Sequence, residues 1–273
     1  RATLAALGVS RERALPAFAT KPFSEKEAPR LGPEVGEDAP RVALFADTFG
    51  RFQEPSIPRA ALAVLTAAGA RVEVPAYRCC GRTYLSKGYL PQATRLAHRL
   101  VETYAPLARQ GVAIVGLEPS CILTLRDEIP RLVQTEDARA VAAAAVTFEE
   151  WCETHADRLA ALDWAAPADA LVHGHCHQKA LSTMAASHAC LGAAGLAVSE
   201  TKAGCCGVAG AFGYEAEHYD VSMAIAEDRL APAVRAAPQA VVVAAGTSCR
   251  EQIEHTTGRR ALHPAEALAA RLR

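Results

Sequence analysis

The sequence has no long hydrophobic run and no cluster of basic residues. Its apolar stretches fall well short of the roughly 20 residues that span a bilayer, and the N-terminus has no signal-peptide core. Lysine and arginine together number 29, against 30 acidic residues, a balance that argues against binding to nucleic acid or anionic lipid. We therefore predict a protein without a transmembrane segment that is cytoplasmic, or peripheral at the inner face of a membrane.

Aromatic residues are also scarce, at 5 % of the 273 residues, but cysteine is not. The nine cysteines come without a secretory signal, which argues against a disulfide framework. Cys152 and Cys190 lie in Ala-rich helical patterns and are predicted to be small buried side chains. The other seven lie in short corners flanked by Gly, Pro or His: Cys79, Cys80, Cys121, Cys176, Cys205, Cys206 and Cys249. Clustered cysteines in a reducing compartment are typically metal ligands or redox groups.

Cys-Cys-Gly occurs twice, and the chain around it repeats one order of elements. In each half, a short apolar strand ends in a corner, a helical stretch follows, and a second strand ends in Cys-Cys-Gly. A long helix then leads to a third strand, whose corner carries another cysteine. The third strands, VAIVGL and AVVVAAG, are continuously apolar, as in sheets covered on both faces. The alternation predicts an α/β fold with two homologous Rossmann-like βαβ halves, each with a parallel sheet.

The predicted organisation has four parts. Residues 1–39 are rich in proline and charge and are expected to form an extended arm or linker. Residues 40–135 form the first repeat, 136–167 a helical connector, and 168–273 the second repeat. VTFEEW and LHPAEA are interpreted as matching short strands that enter a helix late in each repeat. Because the chain begins with Arg1 and not with Met, we expect it to be part of a longer protein.

All cysteine corners follow a strand and precede a helix. They are therefore expected at the carboxyl ends of parallel strands, the edge at which open α/β sheets bind ligands. Each half should gather its own cysteines in one place. A two-fold-like pairing of the halves would bring both places together at a shared cleft.

The second half offers four thiolates from three corners: Cys176, Cys205, Cys206 and Cys249. Four is the number that a [4Fe–4S] cluster needs. The spacing is not that of a zinc knuckle, and neighbouring cysteines suit a multinuclear cluster better than one tetrahedral ion. Gly81 and Gly207 permit the tight turns that present the doublets. Zinc, a vicinal disulfide and buried thiols remain the alternatives.

The first half has a thinner set of ligands. It offers three thiolates with carboxylates nearby: Cys79, Cys80, Cys121, Asp47 and Glu118. Thr48 stands where the second half has Cys176. Three thiolates with a carboxylate or water would make a weaker metal site; alternatively, this half has lost its metal and only shapes the cleft.

Three histidines surround one cysteine in HGHCHQ. Alternation in an extended segment would place His173, His175 and His177 on one side and Cys176 on the other. They could line the cleft as proton donors or as further metal ligands, or they could only hydrogen-bond the corner backbone. A Cys176–His hydrolase pair is also conceivable, but it leaves both doublets unexplained.

These corners resemble the cysteine-rich CCG domain, which is found in the heterodisulfide reductase B subunit, in glycolate oxidase iron–sulfur subunits and in related lactate-utilisation proteins. The family pattern is a lone Cys, then Cys-Cys-Gly, then C-x-x-C, usually present twice, and residues 40–273 fit this layout. The segments VALFADTFG, CCGRTYLSKGYL, GLEPSC, HGHCHQKA, GCCGVAGAFGYE and SCREQI are similar to the C-terminal part of fused FAD-binding and iron–sulfur-binding oxidoreductases. The D-lactate dehydrogenase, glycolate oxidase and D-2-hydroxyglutarate dehydrogenase types belong to this group.

The sequence departs from the family pattern at three positions. Thr48 replaces the first lone Cys, and Glu118 and Gly246 replace the first cysteine of each final pair. The five-cysteine set of a non-cubane cluster is thus incomplete in both halves, whereas four-thiolate ligation in the second half is retained.

The resemblance implies an iron–sulfur electron-transfer domain of a flavin-linked 2-hydroxyacid oxidoreductase, which passes electrons from flavin to a quinone or another acceptor. The sequence has no flavin fingerprint and no ferredoxin C-x-x-C-x-x-C run, so FAD and a ferredoxin-like domain are expected upstream or on another subunit. Without them the chain should not oxidise a hydroxyacid. The alternative is a docking or structural domain of the same type of complex, with bound zinc or without metal.

Overall fold

The computed structural model describes residues 8–27 and 39–273, so part of the predicted arm lies outside the described residues. The first sheet is parallel, and its strands lie in the order β2-β1-β3-β4. The strands are β1 (Arg41–Phe45), β2 (Arg71–Glu73), β3 (Ala113–Gly116) and β4 (Ala145–Thr147). Strand β4 lies within the predicted connector, so the first sheet extends into that segment.

The second sheet repeats this order as β6-β5-β7, again with parallel pairing. Its strands are β5 (Ala168–His173), β6 (Leu196–Glu200) and β7 (Val241–Ala244). Leu262 adds a parallel bridge beside Val243, at the place that β4 takes in the first sheet. The predicted α/β architecture of two similar halves with parallel sheets is confirmed.

Helices cover both sheets. Those that follow the strands of the first sheet are α1 (Thr48–Phe52), α2 (Ser56–Ala67), α3 (Arg82–Ser86), α4 (Leu90–Ala108), α5 (Pro119–Arg126), α6 (Ile129–Leu132), α7 (Glu136–Ala144), α8 (Phe148–Thr154) and α9 (Ala156–Ala160). Those of the second are α10 (Cys176–Leu181), α11 (Ala185–Ala193), α12 (Tyr219–Ile225), α13 (Ala231–Ala236), α14 (Thr247–Thr257) and α15 (Pro264–Ala269). A π-helical segment, Ala226–Leu230, joins α12 to α13.

The two halves share one hydrophobic core. Helix α2 of the first half packs on α15 of the second, and α8 packs on α11. Buried residues of both sheets, such as Val115 and Val172, belong to the same apolar cluster. Because burying apolar surface is the main favourable term in folding, the shared core fixes the halves relative to each other.

The described part of the arm crosses both halves. Near its start, Ser10 N donates to Tyr214 O at 2.7 Å, and further along Phe23 N donates to Arg51 O at 2.9 Å. The Phe23 side chain is buried in the shared core. The arm is thus held first by the second half and then by the first half.

A substitution at Gly116, at the end of β3, tests how closely the first sheet packs on α5. A Cβ at this position would lie 2.6 Å from Ile122 Cγ1, so Gly116→Ala should lower the free energy of unfolding by about 2 kcal/mol through overpacking. Gly192→Ala is the control, because a Cβ there meets no atom within 4 Å and alanine favours the helix. Urea unfolding checks both variants; a Gly116→Ala protein as stable as the parent would contradict this packing.

Candidate metal centre

The seven corner cysteines lie beyond the carboxyl ends of the strands, as parallel strands require. In the second half, Cys176 opens α10 after β5, Cys205 and Cys206 follow β6, and Cys249 lies in the first turn of α14 after β7. The sulfurs form a chain of contacts in which Cys205 meets Cys176 and Cys206, and Cys206 also meets Cys249. Cys206 and Cys249 are buried, whereas Cys205 is half-buried and Cys176 is exposed. The set therefore runs from the protein interior to its surface.

The loop around the second doublet is held from several sides. Lys179 Nζ donates to the carbonyl oxygens of Ala203 and Gly204 at 2.6 and 2.8 Å. Gly207 has φ +94°, and its N–H donates to Cys205 Sγ at 3.3 Å. A Cβ on Gly207 would overlap Ser222 O. Glycine is thus required here both by conformation and by the close approach of α12.

The pKa values of the four cysteines shift in opposite directions along the chain of contacts. Hydrogen bonds from Cys176 and Cys206 lower the pKa of Cys205, and a hydrogen bond from Cys206 lowers the pKa of Cys249 despite its burial. The shared hydrogen bond with Cys205, together with burial, raises the pKa of Cys176 and of Cys206. A soft metal centre that takes all four as thiolates would displace the remaining protons.

His173 is the histidine best placed to act on a bound group. It is 1 % exposed, and its Nδ1 hydrogen-bonds with Thr201 Oγ1 at 3.0 Å. Its Nε2 has no nitrogen or oxygen partner in the part of the chain that the structure describes, and an interaction with His173 helps to lower the pKa of Cys249. A buried polar atom without a partner is rare and costs free energy. An iron–sulfur or other anionic group held by the four cysteines fits, because it could accept a hydrogen bond from Nε2.

The other two histidines have different surroundings. His175 caps α10, since its Nδ1 accepts from His177 N at 3.2 Å, and its Nε2 lies 3.8 Å from Glu118 Oε1. His177 is half-buried, and burial together with the nearby Arg82 lowers its pKa. The structure therefore brings one of the three histidines to the thiols and turns another toward the first half.

In the first half the three cysteines form a shorter chain of contacts, in which Cys80 meets Cys79 and Cys121. Thr48 Oγ1 occupies the place of the fourth sulfur, 3.8 Å from Cys79 Sγ and 2.8 Å from the hydroxyl of Tyr77. Hydrogen bonding to the neighbouring thiol raises the pKa of Cys79 and Cys80, and burial adds to it.

The pKa of Cys121 is about 12. The hydrogen bond with Cys80 lowers the pKa of Cys121. Burial and the negative charges of Asp47 and Glu118 raise this pKa and outweigh the hydrogen bond. The pKa of each cysteine in the first half is thus raised, whereas in the second half the pKa of Cys205 and of Cys249 is lowered.

Two buried carboxyl groups separate the two sets of cysteines. Glu118 Oε2 accepts from Thr247 N at 2.8 Å across the boundary between the halves, and Oε1 accepts from Ser120 Oγ at 2.6 Å. Burial raises the pKa of Glu118, but His175 and these donors outweigh it, so the pKa is below its usual value. Asp47 caps α1 by accepting from two backbone N–H groups, and burial together with Glu118 raises its pKa to about 7. Glu118 is therefore the ionised member of the pair.

Sequence reasoning missed Arg250, the residue after Cys249. Its buried guanidinium donates to Ala244 O and Ala245 O and pairs with Glu54 of the first half at 2.5 Å. The arginine thus ties the carboxyl end of β7 to the other half. Nothing in the local spacing identifies this role, because Glu54 lies 196 residues away in sequence.

The arrangement of the four sulfurs bears on the choice of metal. In a tetrahedral zinc site with Zn–S bonds of 2.3 Å, all sulfurs lie about 3.8 Å from one another. Among the described residues, three or more candidate ligand atoms lie within 4.8 Å of one another only at Glu215, Glu217 and His218, away from the cysteines. The four thiols, which touch only in sequence along the chain of contacts, therefore do not form the compact tetrahedral set that one zinc ion requires.

A solvent-open groove runs beside the outer part of this site. Its walls are aliphatic near Val221 and Ile225, and the π-helical segment contributes charged residues at its edge. The lining residues are Ala203, Gly204, Cys205, Val221, Ala224, Ile225, Asp228 and Arg229. The groove gives solvent and small molecules access to Cys205.

The fold and the repeated corners agree with a family match. The model of the family described as "Cysteine-rich domain" (CCG) matches residues 42–126 and 170–254. The chain therefore belongs to the cysteine-rich CCG domain family, and the resemblance inferred from the sequence is confirmed.

Two kinds of dehydrogenase contain similar chains. The protein is 26 % identical over 275 residues to a subunit of the anaerobic glycerol-3-phosphate dehydrogenase of Escherichia coli (strain K12), covering 98 % of this chain and 68 % of that protein. It is 28 % identical over 231 residues to D-2-hydroxyglutarate dehydrogenase of Pseudomonas putida (strain KT2440), covering 83 % of this chain and 22 % of that protein. A similar match, at 27 % over 195 residues, covers 18 % of the D-2-hydroxyglutarate dehydrogenase of E. coli K12. One relative is thus a dehydrogenase subunit, and the other two are dehydrogenases much longer than this chain. The chain matches only a part of each.

No helix in residues 8–27 or 39–273 is long and apolar enough to cross a membrane.

The raised pKa of Asp47 predicts a pH dependence of stability. A carboxyl whose folded-state pKa lies above its unfolded value contributes stability at low pH that is lost as pH rises through about 7. In Asp47→Asn this loss should be smaller by at least about 1 kcal/mol between pH 5.5 and 8. Urea unfolding of metal-free protein at both pH values measures it, with Asp163→Asn, an exposed aspartate, as control. An Asp47→Asn protein with the parent's pH dependence would contradict the buried carboxyl's role.

Proposed function

We propose that the protein is the iron–sulfur electron-transfer domain of a flavin-linked 2-hydroxyacid oxidoreductase. The observation that carries the proposal is the contact chain of four cysteines from three strand ends, beside a buried histidine nitrogen that has no nitrogen or oxygen partner in the described chain. Thiolate sulfur is the ligand that iron–sulfur clusters use, and four cysteines are the usual number for [4Fe–4S]. Cys176, Cys205, Cys206 and Cys249 would hold the cluster.

When bound, a [4Fe–4S] cluster supplies one-electron transfer at a potential set by its ligands, hydrogen bonds and burial. The residues of this chain would divide those tasks. His173 would donate from Nε2 to the bound group, fixed in orientation by Thr201 through Nδ1. Lys179 and Gly207 hold the loop that presents the doublet. Cys206 and Cys249, which are buried, would exclude water from one side of the bound cluster.

The proposed path of electrons leaves the protein on the side of Cys176 and Cys205. These are the two exposed or half-exposed cysteines of the set, and the groove beside Cys205 would admit a small acceptor such as a quinone. Electrons would come from FAD on an upstream domain or another subunit, with a ferredoxin-like domain between them. That two relatives are dehydrogenases longer than this chain supports partners of this kind.

Two roles are open for the first half. With three cysteines and Thr48, it would hold a more labile centre with a carboxylate or water as fourth ligand, or it would hold none and shape the cleft. The hydroxyl of Thr48 in place of a fourth sulfur favours the second role, because a [4Fe–4S] cluster usually takes four thiolates. Iron content near four or near eight atoms per chain would distinguish them.

A second candidate function is a docking or structural domain that binds zinc or no metal. The residues that replace family cysteines favour it, because Thr48, Glu118 and Gly246 reduce the number of soft ligands. The spacing of the sulfurs in the second half speaks against a single zinc ion.

Removing one buried thiolate should remove the cluster. Cys206→Ala and Cys249→Ala proteins, purified without air, should lose most of their iron and acid-labile sulfide, because four thiolates fall to three. Cys190→Ala is the matched control: it also removes a buried thiol, in α11, but one that contacts Cys152 and not the corner cysteines. Iron and sulfide analysis with absorption spectroscopy measures the effect.

The same preparations separate the two functions. On the electron-transfer hypothesis, the parent is reduced by dithionite and reoxidised by a soluble quinone, and Cys206→Ala shows neither change. Full iron content in Cys206→Ala and Cys249→Ala would contradict the ligand assignment, and zinc without sulfide in the parent would favour the docking domain.

A further inference from the structure

Arg13 is a buried cation that forms no ion pair within 4 Å among the described residues; the carboxylate of Glu251 acts on it only through its charge, without a hydrogen bond. Its side chain reaches from the arm into the second half and is only 6 % exposed. Nε donates to Gly213 O at 2.9 Å and Nη2 donates to Gln252 Oε1 at 2.6 Å, both of them neutral acceptors. Nη1 has no hydrogen-bond partner in the described chain. A buried charge without a counter-ion is costly, so its retention at this place calls for a compensating negative group.

A buried arginine of the first half that contacts the arm shows the contrast. Arg51 of the first half is also buried, and its guanidinium lies 5.2 Å from the ring centre of Tyr77. Arg51, however, pairs with Glu25 of the arm at 2.7 Å. Arg13 lies against two tyrosine rings in the same manner, at 5.4 and 5.8 Å from their centres, but without the carboxylate. The missing counter-ion is therefore specific to the second half.

The network around Arg13 lies directly behind the thiols. Its acceptor Gly213 donates to Val208 O at 2.8 Å, two residues after Cys206. Its other acceptor, Gln252, follows Cys249 by three residues on α14 and donates to Ser222 O at 3.0 Å. Arg13 thus connects the two elements that carry three of the four cysteines. The groups whose charge, when ionised, acts on its guanidinium are Tyr214, Tyr219, Cys206 and Glu251.

We propose that Arg13 is a positioning and charge-compensating residue of the four-cysteine site, and that its guanidinium stabilises the more negative, reduced form of the group held there. The inference rests on the proposed function. Reduction by one electron would make the group held by the four thiolates more negative by one charge, and a cation without an ion-pair partner near Cys206 would favour that state. The arm therefore raises the reduction potential of the site.

A redox titration of the full chain, loaded with iron and sulfide without air and followed by electron paramagnetic resonance, tests this role. At a fixed solution potential, Arg13→Gln should lower the ratio of reduced to oxidised cluster by about tenfold, which is 59 mV for a one-electron couple. Arg13→Lys, which keeps the charge, should remain close to the parent. Arg59→Gln is the control, because Arg59 holds the arm to the first half through Glu27 and should leave the ratio unchanged.

A second variant is used if the Arg13→Gln protein does not take up the cluster. Gln252→Glu places a carboxylate at the atom that already accepts from Arg13, so it neutralises the guanidinium while keeping this contact. It should also lower the ratio. Loaded variants with the parent's midpoint potential, or equal losses of cluster in Arg13→Gln and Arg13→Lys without a shift, would overturn the charge role. A parent chain that binds no cluster would instead overturn the proposed function, and this inference with it.

Discussion

Much of this structure is constrained by the sulfur ligands that it holds in its interior. Their negative charge has to be compensated there. Parallel strands end at one edge, so the repeated corners bring four cysteines into contact in the second half and three in the first. In the second half, Gly207 N donates to Cys205, and an interaction with His173 helps to lower the pKa of Cys249. In the first half, the negative charges of Asp47 and Glu118 help to raise the pKa of Cys121. The two repeats thus contain sites with different electrostatic surroundings.

The boundary between the halves combines a shared apolar core with buried polar contacts. Apolar packing of α2 on α15 and of α8 on α11 supplies the stability. Directional hydrogen bonds between the halves add to this packing near the strand ends; they are made by Glu118, Arg250 and His263. Burial lowers the pKa of His263 to about 3, so its ring stays neutral and Nε2 donates to Leu117 O. The positions of the corners are therefore set jointly by both halves, and the arm adds contacts to each.

The sequence predicts the parts that local periodicity and repetition encode. Apolar strands such as VAIVGL, and corners that follow them, are sufficient to predict the α/β halves and the edge at which the cysteines meet. The extent of the first sheet is less evident, since β4 is only three residues long. Arg13 and Arg250 could not be identified, because their partners lie about 200 residues away and follow from the packing of the halves. The separate surroundings of His173, His175 and His177 likewise depend on tertiary contacts that alternation does not describe.

The central claim is that the four cysteines of the second half hold an iron–sulfur cluster, and metal analysis of the unmodified chain tests it most directly. Iron, zinc and acid-labile sulfide per chain would be measured on protein purified without air, together with the absorption spectrum. Iron and sulfide are expected in equal amounts, at about four each for one [4Fe–4S] cluster, with broad visible absorption that dithionite bleaches. About one zinc per chain without sulfide, or no metal under strict exclusion of air, would contradict it.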